Sequence, residues 1–223
     1  MTTDTGRLQA RSDLYLLLSR VFLPPMTEGI HAAMSGVLAD DLTACADAIP
    51  VEIDRDLRRF RAEMARVADD RALLVLYSQF HLAPPVPAPL NAGLYLDGAV
   101  LGPSVVAMEA CYHHHGMARA AGFKDLSDHL SVQLEFVALL LAEAAAAEDP
   151  ERRDFAGAAS TFVESFVRPW IPALMVRIDR AAIERDLPAP HRPLLEILVA
   201  AMAVGTGVSR PSAPSTTART PAG

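Results

Sequence analysis

Between Leu82 and Pro103, five prolines and three glycines interrupt a chain whose other long segments repeat their apolar residues every three or four positions. No helix can run through Pro84, Pro85, Pro87, Pro89 and Gly93, so the chain divides there. The interruption is not a solvated linker, because Leu90, Leu94, Tyr95, Leu96 and Leu101 give it apolar groups that need cover. It therefore predicts an ordered connector packed across helices on both sides. Runs of alternating β-branched residues, the mark of a strand, are almost absent. The expected fold is all-α: one helical domain of about ten helices in two halves, 1–83 and 102–205, joined by a Pro/Gly-rich hinge over 84–101.

In the first half, Leu8, Tyr15, Leu18 and Phe22 form one stripe of a helix that starts near Asp4 and is ended by Pro24 and Pro25. Short helices are expected within 28–38 and 40–46, a longer one over 53–68, and another over 71–81. In the second half, a helix over 104–115 has Gly116 as its C-terminal stop, and Ser127 is placed to cap a long helix reaching about Ala147. Leu130, Leu134, Val137 and Leu141 make that helix's apolar stripe. Further helices are expected over 151–167, 169–185 and 193–204, the last apolar on nearly every side and hence buried. Residues 206–223 are Ser, Thr, Pro, Ala and Gly with two arginines, a composition that predicts a disordered tail.

Half of the 223 residues are apolar, enough to build a core without disulfides or metal. Cys45 and Cys111 lie in helix-like contexts without a CxxC or Cys/His partner at ligand spacing. No secretory signal is visible, and the longest apolar runs, 136–147 and 194–204, are too short to span a bilayer, so the expected location is the cytoplasm. The formal charge is −7, and since the last eighteen residues hold Arg210 and Arg219 and no acid, the rest of the chain carries −9. Such a body disfavours nucleic acid and favours cationic partners.

Signatures of catalysis are missing. There is no phosphate-binding loop, nucleophile elbow or paired-histidine zinc motif, and Gly205-Thr206-Gly207 follows a helix and lacks the third glycine of a dinucleotide loop. His113, His114 and His115 point about 100° apart on a helix and cannot share one ion. Arg58-Arg59 and Arg152-Arg153 read as solvated helix faces. The expectation is that the chain is not an enzyme and holds no cofactor or metal of its own. Asp128 and His129, at the start of the long helix, are read either as caps or as a polar anchor at the mouth of an apolar groove lined by Tyr77, Phe80 and the connector.

Several segments, in order, resemble the TorD/DmsD/NarJ maturation chaperones of molybdenum-containing redox enzymes. Leu14-Tyr15 with Leu18 and Phe22 is similar to the family's opening helix, Leu76-Tyr77-Ser78-Gln79-Phe80 to its aromatic helix, and Pro87-Ala88-Pro89 leading to Leu94-Tyr95-Leu96 to its hinge. Tyr112 four residues before Gly116, then Asp128-His129-Leu130 with Leu134-Glu135-Phe136, and finally Phe162, Phe166, Trp170 and Pro172 continue the likeness. Ser127 stands where many members have proline, and Leu90-Asn91-Ala92-Gly93 replaces an aromatic-led hinge sequence. The resemblance implies a cytoplasmic chaperone, monomer or homodimer, that binds the twin-arginine signal peptide and apo form of one molybdoenzyme catalytic subunit. That client, not the chaperone, would carry the molybdopterin cofactor. Carried over, the peptide site is Asp128 and His129, flanked by Tyr77, Phe80, Pro87, Pro89, Leu90 and Tyr95. An all-α small-molecule-binding domain using the same apolar pocket is the alternative.

Overall fold

The computed structural model describes residues 4–117 and 125–204. Among them are eleven α-helices and one π-helical turn, with no strand. The first half contains α1 (Asp4–Val21), α2 (Ile30–Ser35), α3 (Val37–Asp47), α4 (Asp54–Met64) and α5 (Asp70–His81). The connector holds one short helix, α6 (Gly93–Leu96), a turn that the glycine-rich sequence there did not predict. The second half contains α7 (Pro103–His114), α8 (Leu130–Ala146), α9 (Glu151–Phe162), the π-turn Val163–Val167, α10 (Ile171–Arg185) and α11 (His191–Ala203). The expected tail, 206–223, and the glycine stop at 205 lie outside the described residues.

The two halves share one core. The most extensive helix pairing is α1 against α8, elements from opposite sides of the connector. Leu14, Tyr15 and Leu18 of α1 meet an α8 that is buried on almost every side, and the Ser12 hydroxyl donates to the Ala138 carbonyl at 2.7 Å. Small residues on α8, Ala138, Ala144 and Ala145, are buried as well, and small side chains let helix axes approach closely. The nearly all-apolar α11 packs against α4, α1 and α10.

Helix ends follow local chemistry, with three differences from expectation. The α7 stop is a Schellman motif: Gly116 takes φ +70°, Met117 N–H donates to Tyr112 O, and Gly116 N–H donates to His113 O. The helix expected over 151–167 instead widens at Val163, where Arg168 N–H reaches back five residues to the Val163 carbonyl. That extra residue lets Phe162, Val163, Val167 and Trp170 all be buried. Second, Arg152 is no solvated face. Its Nε and Nη2 donate to Ala147 O, satisfying the end of α8, and Nη1 donates to the Thr5 hydroxyl. Third, α8 starts at Leu130, and its cap is His129 rather than Ser127.

The α1–α8 contact should dominate stability. Leu18→Ala removes a fully buried side chain and is expected to cost about 2–5 kcal/mol in denaturant unfolding. Val176→Ala, on an exposed face of α10, should change stability by less than about 0.5 kcal/mol.

Candidate functional site

The connector is stitched to the helices that flank it. Its Ala88 N–H donates to Phe80 O at 3.0 Å, and Ala88 O lies 2.7 Å from Nδ1 of His81 at the end of α5. Two residues on, Leu130 N–H donates to Leu90 O at 2.8 Å and Ala92 N–H to Asp128 O at 3.1 Å, so Asn91 and His129 face each other in an isolated antiparallel bridge. This pairing explains the late start of α8: it holds His129 extended, at ψ 140°, and helical geometry can begin only at Leu130. The Ser127 hydroxyl, displaced from capping, donates to Glu109 at 2.7 Å, and the Tyr112 hydroxyl donates to Ser127 O.

Asp128 is the centre of the stitch. Its carboxylate accepts from Gly93 N–H at 2.8 Å and from the Asn91 amide at 3.1 Å. Position 93 has to be glycine: a Cβ there would stand 2.8 Å from Ala99 O and 3.1 Å from the Asp128 carboxylate. Burial pushes the Asp128 carboxyl above the ordinary carboxylate value, against the lowering effect of those two donors. The Gln133 amide donates to Asp128 O at 2.6 Å, and its oxygen lies 3.4 Å from the Trp170 indole nitrogen, which donates to Phe166 O. Trp170 packs beside Tyr95 with ring centres 5.1 Å apart, the Arg177 guanidinium sits over the Tyr95 ring 4.8 Å from its centre, and the Tyr95 hydroxyl donates to Pro89 O.

His129 caps α8 with Nδ1, which accepts from Ser131 N–H at 3.2 Å and lies 2.7 Å from the Ser131 hydroxyl. An accepting Nδ1 puts the proton of the neutral ring on Nε2. Beneath the connector, His81 Nε2 meets His191 Nδ1 at 3.3 Å. Because Ala88 O can only accept, His81 carries its proton on Nδ1, which leaves its Nε2 as an acceptor facing His191. Both rings are buried. Burial, then the neighbouring His191, holds His81 well below the ordinary histidine value, and burial holds His191 down at about 4 against a backbone hydrogen bond with Val21. Burial also lowers His129 and raises the phenols of Tyr77, Tyr95 and Tyr112.

Of the residues expected to form a peptide site, Asp128, His129, Tyr77, Phe80, Pro89 and Leu90 are buried, while Pro87 and Tyr95 are half-buried. The fold does bring them together, around the connector. Each polar atom with a partner uses one inside the protein; the Tyr77 hydroxyl, for example, donates to Phe22 O at 3.0 Å. Sequence reasoning missed His81 with His191, and Gln133. The only sequence sign of Gln133 was a polar residue beside Leu130, Leu134 and Val137 on an inward-facing stripe. His113 and His114 are exposed on the last turn of α7, and among the described residues no group of three His, Cys, Asp or Glu could hold a metal ion.

The family model described as the nitrate reductase delta subunit matches residues 46–176, more than half of the chain. Among curated proteins, none matches. One similar solved structure is described as a candidate redox enzyme maturation protein from Archaeoglobus fulgidus; it is 23% identical, covers 70% of this chain and 90% of its own, and has a TM-score of 0.39.

Two tests follow from this geometry. Asp128→Ala strands the Gly93 N–H and should lower unfolding free energy by about 1–3 kcal/mol, whereas Asp128→Asn, which can still accept, should cost less. The histidine pair sets a pH dependence: a folded pKa below the unfolded value of about 6.5 means that the unfolded chain binds more protons in acid. Stability from this pair is therefore present above about pH 6.5 and lost as pH falls toward about 4. Melting curves across that range should show the slope, and His191→Gln should reduce it while His81, still buried, keeps the remainder.

Proposed function

This chain belongs to the nitrate reductase delta subunit family, the redox-enzyme maturation proteins, and on that premise we propose that it is a cytoplasmic chaperone dedicated to one molybdenum-containing oxidoreductase. It binds the twin-arginine signal peptide and the apo form of that enzyme's catalytic subunit, assists insertion of the molybdopterin cofactor, and delays export until insertion is complete. The observation that carries this reading is the family match over residues 46–176, which spans the connector, the Asp128–His129 bridge and α8. The chaperone itself needs no cofactor and performs no chemistry.

The physics of the molecule supports the reading without requiring catalysis. A twin-arginine leader offers cationic residues followed by an apolar helix, and the chain offers a net negative body with apolar surface. Among the described residues no helix is long and apolar enough to cross a membrane. Burying three or four leucine-sized groups at about 1.5–3 kcal/mol each, less the cost of ordering the peptide, gives affinity in the micromolar range. Binding of that strength retains a client and still lets it go. The buried Asp128, His129, Tyr77, Phe80 and Leu90 act in this scheme as the frame that presents Pro87, Tyr95 and the rest of the connector.

Calorimetric titration with the twin-arginine leader of the client's catalytic subunit should give a dissociation constant of about micromolar size. Deleting the chain from its host should leave that subunit poor in molybdenum. Failure to bind any twin-arginine leader, together with normal molybdenum loading in the deletion strain, would falsify the proposal.

A further inference from the structure

Apart from the connector, whose Leu82, Val100 and Leu101 are exposed, the first half presents an apolar groove of its own. It lies between the end of α1, the turn 23–29 and helices α2 and α3, and encloses about 380 Å³. Leu17, Val21, Ile30, Ala33, Met34 and Leu38 line it. Leu23 and Val37 line it too and are 37% and 62% exposed, and Met26 in the same turn is 80% exposed. Exposed apolar side chains gathered around a cavity are unusual on a monomer's surface and mark a site that something covers. Methionines there suit partners of more than one shape.

The groove is built, not an accident of loose packing. Pro24 and Pro25 stop α1, and Gly29 turns the chain at φ +79°. The Asp70 carboxylate then takes the N–H groups of Gly29 at 2.8 Å and His31 at 2.7 Å. Those bonds, on an exposed carboxylate, hold its pKa below the ordinary value. Asp70 so draws the first turn of α2 toward α5, and α2 packs on α3, α4 and α5 while α1 packs on α3. The space left between α1 and α2 is the groove.

Charge says what fits. Asp41 lines the groove on α3, and Glu28 stands between its lining residues Thr27 and Ile30; neither has an ion-pair partner among the described residues, whereas the adjacent Asp40 is engaged by Arg61 at 3.2 Å. Arg20 is the one cation in the lining, against Asp41 in the lining, Glu28 in the turn and Asp70 bonded to the first turn of α2. Acids therefore outnumber bases around the groove, and its floor is apolar. A cavity of this size takes a few aliphatic side chains from one helix turn or two.

We infer that this α1–α2–α3 groove is the docking site for the apolar segment of the client's leader, with the arginines that precede it placed against Asp41 and Glu28. The inference rests on the proposed chaperone function and adds to the connector a second surface for the same leader. The groove lies wholly within residues 17–41, ahead of the segment the family model matches.

The test uses the full chain and a synthetic twin-arginine leader, titrated calorimetrically, with a melting curve and sedimentation for every variant. Val37→Glu places a charge on the groove's lip, and its exposure makes unfolding an unneeded worry; it should weaken binding at least about tenfold with an unchanged melting temperature. Asp41→Lys, which buries nothing, should weaken binding and reduce its dependence on salt. Val176→Glu, equally exposed but on α10, should bind as the parent does. If the parent binds the leader and Val37→Glu and Asp41→Lys bind equally well, the groove is not the site and the inference fails while the chaperone reading stands. If Val37→Glu instead dissociates a parent dimer without altering leader binding, the groove is a self-interface and the inference fails. A parent that binds no leader removes the chaperone reading and the inference with it.

Discussion

Buried backbone must find hydrogen-bond partners, and a segment without regular structure has to find them one at a time. The connector meets that demand by borrowing the first residues of α8. Leu90 O and Ala92 N–H pair with Leu130 N–H and Asp128 O, and the Asp128 side chain takes the Gly93 N–H that the bridge leaves over. Everything downstream depends on this exchange. It delays α8 to Leu130, makes His129 the cap, and releases Ser127 to Glu109. It also seats α8 so that its small face reaches α1, the contact that joins the two halves.

The exchange creates a second problem, because it draws polar and titratable groups under the connector. Asp128, His129, His81, His191, Gln133 and the hydroxyl of Tyr77 are all inside. The solution is mutual satisfaction: carbonyls that can only accept, such as Ala88 O, Phe22 O and Phe166 O, are matched to ring or hydroxyl donors. A network of this kind tolerates few substitutions, since each removal leaves a neighbour unpaired in a low dielectric. The Asp-His pair, read from the sequence as either a cap or a polar anchor, is part of this frame, with His129 capping α8.

Most of the fold was legible because helical periodicity is a local signal. The stripe of Leu8, Tyr15, Leu18 and Phe22, the spacing of Leu130, Leu134, Val137 and Leu141, and the largely apolar 194–204 each located a helix to within a few residues. What stayed hidden was long-range. His81 and His191 are 110 positions apart, and nothing near either one announces the other. His129 outcompeted Ser127 as the cap through a bridge to Asn91 that no local rule contains. The π-turn at Val163 is fixed by the need to turn Val167 and Trp170 into the core, and Arg152 by the distant Thr5 and the end of α8. For the candidate site, the residues were named from resemblance and the fold gathers them, but their burial could not be read from residue type.

Rigidity in one place is what permits openness in another. With the connector stitched and α1 fixed to α8, α2 is a six-residue wall packed on α3, α4 and α5, its first turn held by one carboxylate, Asp70. A wall fixed by two short bonds to backbone N–H groups is preorganised, so a peptide entering the groove need not order the protein as well as itself, and more of the apolar contact energy appears as affinity. The same arrangement limits that affinity, because the groove is short and open at its lips. A surface that is ready-made but small suits a partner that must be held while it is completed and then released.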